Sequence, residues 1–336
     1  MKQTCSICIF GAGPAGAATA IHLADLGVDC IVLDSPSAKK SWGGESFTGA
    51  IREPLAVLGL WEDFCAAGHV AGYEQRTTWG APERTKDSIF SRHGHFWHVD
   101  RDRFDNDVRR ALQARGIPVL HYQTLHELLR RREGWCVCLD QDCEISARYL
   151  VDATGRACAI GRMLGVRPRL YDHLIAFTTL VPRNSEFDHT MVIESMPKGW
   201  WYAAPVPKGH VLAFFTDADL AAPQLSRSMK TAAANSAFTP ARNGQGWIPV
   251  GDACAAHDPL CGWGVYRAMI NGLRAADAIA RYLETADEAA LEDYFELCRN
   301  QFTQYLKGLT KHYGYEQRWP SSPFWQRRAN LTSSLA

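Results

Sequence analysis

The sequence predicts an α/β fold: a parallel-sheet nucleotide domain, interrupted by a mainly antiparallel sheet and closed by C-terminal helices. Three observations carry that expectation. A βαβ unit of about thirty residues opens the chain, short strand patterns crowd His173–Asp219, and two long helical patterns follow at Val265–Tyr282 and Leu291–Tyr313.

The opening unit is the most informative. "CSICIF" (Cys5–Phe10) reads as a buried strand, Pro14–Leu26 as a helix and "DCIVLD" (Asp29–Asp34) as a second strand. Gly11 permits the tight turn between them, Gly13 lets backbone approach a pyrophosphate, and Gly16 lets helix and strand pack closely. Pro14 and Ala15 begin the helix, whose N-terminus offers free N–H groups and partial positive charge to phosphates. Asp34 ends the second strand, where a carboxylate accepts from ribose hydroxyls. This combination says dinucleotide without choosing between NAD and FAD.

Further on, Ala50–Gly68 and Arg103–Arg115 carry helical spacing, and Ile117–Tyr122, Thr124–Arg131, Gly134–Leu139 and Arg148–Val151 read as strands. His173–Pro182, His189–Pro197, Trp200–Pro207 and His210–Asp219 predict a four-stranded antiparallel layer. Gly246–Pro259 returns to a buried-strand pattern. The expected division is a nucleotide domain of residues 1–170 and 245–285, a substrate sheet over 171–244, and a helical tail over 286–336. No repeat or low-complexity tract interrupts it.

Composition bounds the partners. Lys+Arg and Asp+Glu balance at 36 each, so no global field recruits nucleic acid or an anionic membrane. No apolar run approaches the roughly 20 residues of a membrane span, and the N-terminus enters a strand without a leader pattern, which makes the cytoplasm the expected compartment. Eleven cysteines include a Cys5/Cys8 pair inside a strand and Cys136, Cys138 and Cys143 near another. Zinc spacing is missing from all of them, so reduced thiols and no metal are expected.

Three distant stretches add chemistry. "VDATGR" (Val151–Arg156) places small residues at a strand end, as where backbone meets a cofactor. In "VGDACAAHDPLCGWGVYRA" (Val250–Ala268), Asp252 is placed to accept from a ribityl chain. Gly262 and Gly264 there open a helix whose N-terminus would face the N1–C2=O edge of a flavin. "HVDRDRFDNDV" (His98–Val108) sets Arg101 at a helix start, ahead of Phe104.

The ordered set G-x-G-x-x-G, Arg101–Phe104–Val108, D-A-T-G and G-D-A…D-P…G-x-G resembles the FAD-dependent monooxygenases of the para-hydroxybenzoate hydroxylase type. Flavin-dependent halogenases and geranylgeranyl reductase-like proteins share that framework. "GGESFTGAIREPLAVLGLW", "TTWGAPERTKDSIF", "GWWYAAPVPKG", "FFTDADL", "HDPLCGWG" and "YGYEQRWPSSPFWQRR" are similar, more narrowly, to the flavoprotein monooxygenases that mature tryptophylquinone cofactors. In that group a tryptophan of a partner enzyme precursor is hydroxylated.

The resemblance implies a glutathione-reductase-type, Rossmann-like FAD-binding domain. In it Gly11, Gly13, Pro14, Ala15, Gly16 and Asp34 hold the ADP half of FAD. Arg101 reaches the pyrophosphate or flavin side and Asp252 the pyrophosphate or ribityl chain, while Pro259, Gly262 and Gly264 line the isoalloxazine and Ser46 lies at its rim. Arg101 as a helix-start ion pair and Ser46 as a turn residue are the plainer alternatives. The implied reaction is aromatic hydroxylation through a flavin C4a-hydroperoxide, with O2 as co-substrate and either NAD(P)H or a separate flavin reductase as donor. The partner is an aromatic small molecule or a tryptophan in a peptide or protein. A halogenase, a double-bond reductase and an inactive flavin-binding partner protein are the rivals.

Cys261 stands where the family usually shows Ser, and the join near Met229–Ala232 is shorter than the resemblance leads one to expect. Lys86, the lysine weighed as a halogenase relay, sits in a polar stretch and reads as surface. Among acid/base candidates His95, His98, Asp217 and His257, the last is preferred because it precedes Asp258–Pro259. Trp79 and the Trp200–Trp201–Tyr202 run would wall an aromatic substrate or pack a sheet core, and "RWPSSPFWQRR" (Arg318–Arg328) would clamp the tail or dock a protein substrate.

Overall fold

A computed structural model describes residues 2–35, 45–88, 91–140, 143–183, 189–242 and 244–331. Strand β1 (Lys2–Phe10), helix α1 (Pro14–Asp25) and strand β2 (Cys30–Asp34) form the opening βαβ unit. Strand β3 (Glu45–Phe47), helices α2 (Arg52–Val57) and α3 (Trp61–Ala66), and strands β4 (Val70–Gly72), β5 (Glu74–Thr78), β6 (Arg84–Asp87) and β7 (Phe96–Val99) lead to helix α4 (Arg101–Ala114). Strands β8 (Val119–His121), β9 (Leu125–Arg131), β10 (Gly134–Leu139) and β11 (Cys143–Asp152) precede helix α5 (Ala159–Met163) and the short β12 (Arg169–Leu170). The next four are β13 (Leu174–Val181), β14 (Thr190–Met196), β15 (Gly199–Val206) and β16 (Gly209–Asp217). Helix α6 (Pro223–Ser228), strands β17 (Lys230–Ala233), β18 (Ala237–Phe238), β19 (Trp247–Pro249) and β20 (Ala255–Ala256), and helices α7 (Gly264–Thr285), α8 (Ala289–Tyr313) and α9 (Pro323–Ala329) complete the chain.

The central sheet runs β8-β2-β1-β11-β10-β9, with β19 also paired to β11. Strands β8, β2, β1, β11 and β19 are parallel, and β9 and β10 antiparallel. Ile7, Cys8, Ile9 and Phe10 are fully buried because helices cover both faces of the parallel strands. The second sheet runs β17-β13-β16-β15-β14-β5-β6. Its four middle strands are the expected antiparallel layer, but β5 and β6 come from residues 74–87, inside the stretch assigned by sequence to the nucleotide domain. Strand β17, at the short join, pairs with the opposite edge through β13.

Two elements differ from expectation for local reasons. The helix expected over Ala50–Gly68 is two helices, because Gly59 adopts φ +66°. The Leu60 N–H then bonds the Leu55 carbonyl (2.7 Å) and the Gly59 N–H that of Ala56 (3.1 Å), which is a Schellman stop. The long strand expected over Gly246–Pro259 ends at Pro249. Gly251 turns at φ +59° into a one-turn 3₁₀ helix.

Successive side chains of β15 alternate between faces. Trp200 points inward, stacked on Phe215 (3.9 Å) and near Trp79 (6.3 Å), while Trp201 lies on the other face against Phe214. The Trp–Trp–Tyr run is therefore not one wall. Trp79 joins Tyr313 and Trp325 in the same inner cluster, which makes it a packing residue.

The tail is a clamp. Glu316, buried at its side chain, accepts from Gly80 N (2.7 Å), Ser195 Oγ (2.6 Å) and the Arg318 backbone and guanidinium. Asp217 is equally buried between Arg328 (2.7 Å) and Arg327 (2.9 Å). Asp217, an acid/base candidate by sequence, is thus a tail anchor: two guanidiniums occupy both its oxygens.

The Glu316 carboxyl is pulled down to about 2 by Arg318, Ser195 and backbone N–H groups, against the desolvation that opposes it. A depressed carboxyl stabilises the fold fully above its ordinary value of 4.5 and loses that contribution as pH falls toward 2. Glu316→Gln should therefore cost about 3 kcal/mol at pH 7. The difference from the unsubstituted protein should shrink steadily below pH 4.5. Urea denaturation at a series of pH values measures both.

Candidate active site

The first turn of α1 lies at the C-terminal ends of β1 and β11, the edge where parallel α/β sheets hold ligands, and α7 packs against it at Gly272. Gly11, at φ +106°, comes so near β11 that a Cβ there would stand 2.4 Å from the Ala153 carbonyl oxygen. A Cβ on Gly16 would stand 2.0 Å from the Gly11 oxygen. Gly13 caps α1 with no side chain, and Pro14 occupies its first turn, so the helix supplies no partner to the N–H groups of Ala15 and Gly16. Asp34 accepts from Ala12 N (3.2 Å) and faces Arg109 (3.4 Å). Its lone pairs are not exhausted by these, since a carboxylate offers about four acceptor sites.

Helix α7 crosses α1 at small residues. A Cβ on Gly272 would meet the Ala15 oxygen at 2.6 Å, and one on Gly251 the Ala15 Cβ at 2.6 Å. This contact carries Asp252 to the start of α1. Arg156 ties the same loop down through the His257 carbonyl (2.7 Å), the Asn235 carbonyl and Asp252 (3.4 Å). Asp152 holds the D-A-T-G turn by accepting from Thr154 N, Thr154 Oγ1 and Gly161 N.

Pro259 begins a 3₁₀ turn capped by Asp258, whose carboxylate accepts from Leu260 N (2.9 Å). Gly262 follows at φ +63° and Gly264 opens α7, both with exposed backbone. Cys261 is half-buried beside them, its thiol pushed up by burial. Tyr313 donates to the other Asp258 oxygen (2.7 Å) and accepts from Trp200 Nε1 (3.1 Å). Burial raises the Asp258 carboxyl to about 6, which lets it hold a proton close to neutrality.

The histidines fall into place differently. His257 packs edge-on against Tyr305 (4.4 Å) and Phe302 (5.8 Å), and burial, with Arg267 and Arg156 adding, holds it well below its ordinary value. An enclosed neutral ring among aromatics suits packing better than the acid/base role expected of it. His95 leans on Trp97 (4.6 Å) and is also lowered by burial. His98 is fully buried and brought down to about 3 by burial, with His189 and His210 adding.

Ser46 and His98 are directly opposite in the β3–β7 ladder. Ser46 Oγ lies 2.5 Å from His98 Nδ1 and 2.6 Å from the Tyr202 hydroxyl, joining the nucleotide module to the second sheet. Sequence reasoning named all three residues without connecting them. Pairing "ESF" with "FWHV" would have shown the first contact; the second spans 156 positions. Gly43 and Gly44 of "GGES" lie outside the described residues.

Arg101 is bound to Glu45 and to Asp105 (3.1 Å), the ion pair at a helix start weighed above. Its Nε and the Nη1 of Arg267 on the first turn of α7 are buried without hydrogen-bond partners. Lys86 is exposed on β6, paired in register with Gln75. The glycine cradle, the uncapped α1 start and these unspent cationic donors fit an anionic dinucleotide. No group of His, Cys, Asp and Glu suited to a metal ion occurs among the described residues, nor a helix long and apolar enough to cross a membrane.

Residues 4–215 match the family profile described as "FAD binding domain". LodB of Marinomonas mediterranea, named as an FAD-dependent oxidoreductase, is 27% identical over 95% of each chain. The tryptophan 2-halogenase of Chondromyces crocatus is 23% identical over 89% of this chain and 65% of its own. Among solved structures, the peptidyl tryptophan dihydroxylase QhpG superposes at TM-score 0.78 with 24% identity, covering 97% of this chain and 79% of its own. The halogenase CmlS superposes at 0.84 with 20% identity, covering 99% and 70%. At these identities the superpositions establish the fold.

Gly11→Ala tests the cradle. The new methyl needs space the Ala153 carbonyl fills, at a φ that L residues rarely adopt. The purified variant should retain less than about a tenth of the flavin of the unsubstituted protein, a tenfold change corresponding to 1.4 kcal/mol. Flavin absorbance per chain reads this directly.

Proposed function

The chain belongs to the FAD binding domain family, and from that premise we propose that it is a monooxygenase hydroxylating an aromatic substrate, specifically a tryptophan side chain in a peptide or protein. One observation carries the reading: the inward face of the second sheet is bonded to the nucleotide module through Tyr202 and Ser46. A substrate on that face would meet the cofactor edge. The similarity to QhpG along nearly the whole chain supports tryptophan as the target.

In this reading the N–H groups of Gly13, Ala15 and Gly16 receive the pyrophosphate, with Pro14 setting the helix start. Asp34 orients the adenosine ribose and Asp252 the ribityl chain. Arg101 turns its unspent Nε toward the phosphates while Glu45 and Asp105 hold its other nitrogens. Pro259, Gly262 and Gly264 leave backbone open against the ring system, and Ser46 lies at its rim. The buried Trp200, Tyr313 and Phe215 keep water from the inner face. Bound FAD, reduced by NAD(P)H or a separate reductase, would supply the two electrons that, with two protons from solvent, put one atom of O2 into the aromatic ring and release the other as water.

Halogenation is the second reading, because halogenases are as near as the dihydroxylase. The exposed position of Lys86 weighs against a relay lysine there. The decisive experiment supplies the FAD-loaded protein with NADH, a flavin reductase, isotopically labelled O2, chloride and a tryptophan-containing peptide. Label in the peptide, independent of chloride, is expected. A chlorine isotope pattern would move the protein to the halogenases, and turnover without oxygen to the reductases. Stable flavin with no oxygen uptake would leave a binding protein.

A further inference from the structure

Ser46, His98 and Tyr202 carry, between them, three exchangeable protons in their neutral forms, and two arrangements distribute them. If His98 is protonated on Nδ1, it donates to Ser46, Ser46 donates to Tyr202, and the Tyr202 proton is free. If it is protonated on Nε2, the chain runs in reverse and the Tyr202 proton is spent on Ser46.

Geometry discriminates between them. His98 Nε2 is buried with no hydrogen-bond partner, pressed against Gly72, where a Cβ would stand 2.2 Å away. A lone pair facing an alkyl hydrogen is tolerable there, whereas an N–H would be orphaned; unpaired buried N–H groups are rare. The Ser46 hydroxyl then occupies one lone pair of the Tyr202 oxygen and leaves the Tyr202 O–H unspent. Burial pushes the phenol up to about 12, and it stays protonated.

Resting on the reading that FAD and an aromatic substrate share this cleft, we propose that Tyr202 presents a fixed hydrogen-bond donor to a carbonyl acceptor there, with Ser46 and the Nδ1–H tautomer of His98 as positioning residues. The acceptor is a flavin carbonyl or an amide carbonyl of a peptide substrate. The chain orients a proton and does not transport one. Nε2 is closed off by Gly72, so His98 cannot be reprotonated from the far side after giving Nδ1–H away.

Two measurements on the FAD-loaded protein test this. Nitrogen-15 spectra of labelled histidine, with His98 assigned by difference against His98→Asn, should show Nδ1 protonated and Nε2 bare. The opposite tautomer would overturn the proposal, whatever the protein's reaction proves to be. Tyr202→Phe should weaken one ligand by about five- to tenfold, the loss of one hydrogen bond to a neutral acceptor. Weaker FAD binding with a shifted flavin spectrum assigns the flavin carbonyl. Unchanged FAD with weaker binding of N-acetyltryptophanamide assigns the substrate amide. No change in either overturns the donor role. An absent hydroxylated product, with tautomer and donor effect intact, would instead count against the proposed reaction.

Discussion

Backbone meets backbone where the first strand turns into the first helix, and the placement of every other site element follows from that contact. With Gly11 against the Ala153 carbonyl and Gly16 against Gly11, no side chain separates α1 from the sheet. The same absence recurs where Gly251 and Gly272 meet Ala15, so α7 packs closely on the start of α1. Thr19 marks the crossing by sharing its one hydroxyl proton between the Ala15 and Gly272 carbonyls. The N-terminus of α1 is thereby held at the sheet edge, with its partial positive charge and unpaired N–H groups. Four glycines thus place the positive end of α1 without contributing a functional group of their own.

The second sheet is held by polar rather than purely apolar means. Its inner face stacks Trp200 on Phe215, but the links to the rest of the chain are hydrogen-bonded: Trp200 to Tyr313, Tyr313 to Asp258, Ser195 to Glu316, and Asp217 to Arg327 and Arg328. Buried charges of this kind contribute little net stability over well-packed apolar residues, yet breaking one partner away is expensive. They favour one seating of sheet, tail and Asp258 turn over near alternatives. Because the Asp258 turn leads into Gly262 and Gly264, the tail helps to set the backbone at the start of α7.

Much of the nucleotide half was legible because its signals are local. Strand, glycine turn, helix and Asp34 lie within about thirty residues, and the D-A-T-G and G-D-A stretches adopt the turns that their small residues imply. The second sheet's middle was legible from alternation alone. Its borders were not: β5 and β6 are separated from β14 by about a hundred residues, and no periodicity in "EQRTT" or "RTKD" reports a partner that distant. The break at Gly59 was local and readable in principle, since a glycine amid apolar spacing is a stop signal. The roles of single side chains were least legible. Asp217 and His257 look alike as acid/base candidates in sequence, and burial with specific partners makes one an anchor and the other a packing ring.

Burial also constrains what kind of chemistry the chain itself contributes. His98 and His257 are both held neutral by desolvation, and among the described residues no carboxylate is placed to restore the charged form. Tyr202 is raised by the same effect. Asp258 alone in this group is shifted toward neutrality rather than away from it, and it faces Tyr313 and the Leu260 amide. A site so poor in titrating groups is suited to orient a substrate and exclude water. Fixed dipoles and backbone N–H groups are then what this chain offers a bound cofactor, with the electrons carried by the cofactor itself.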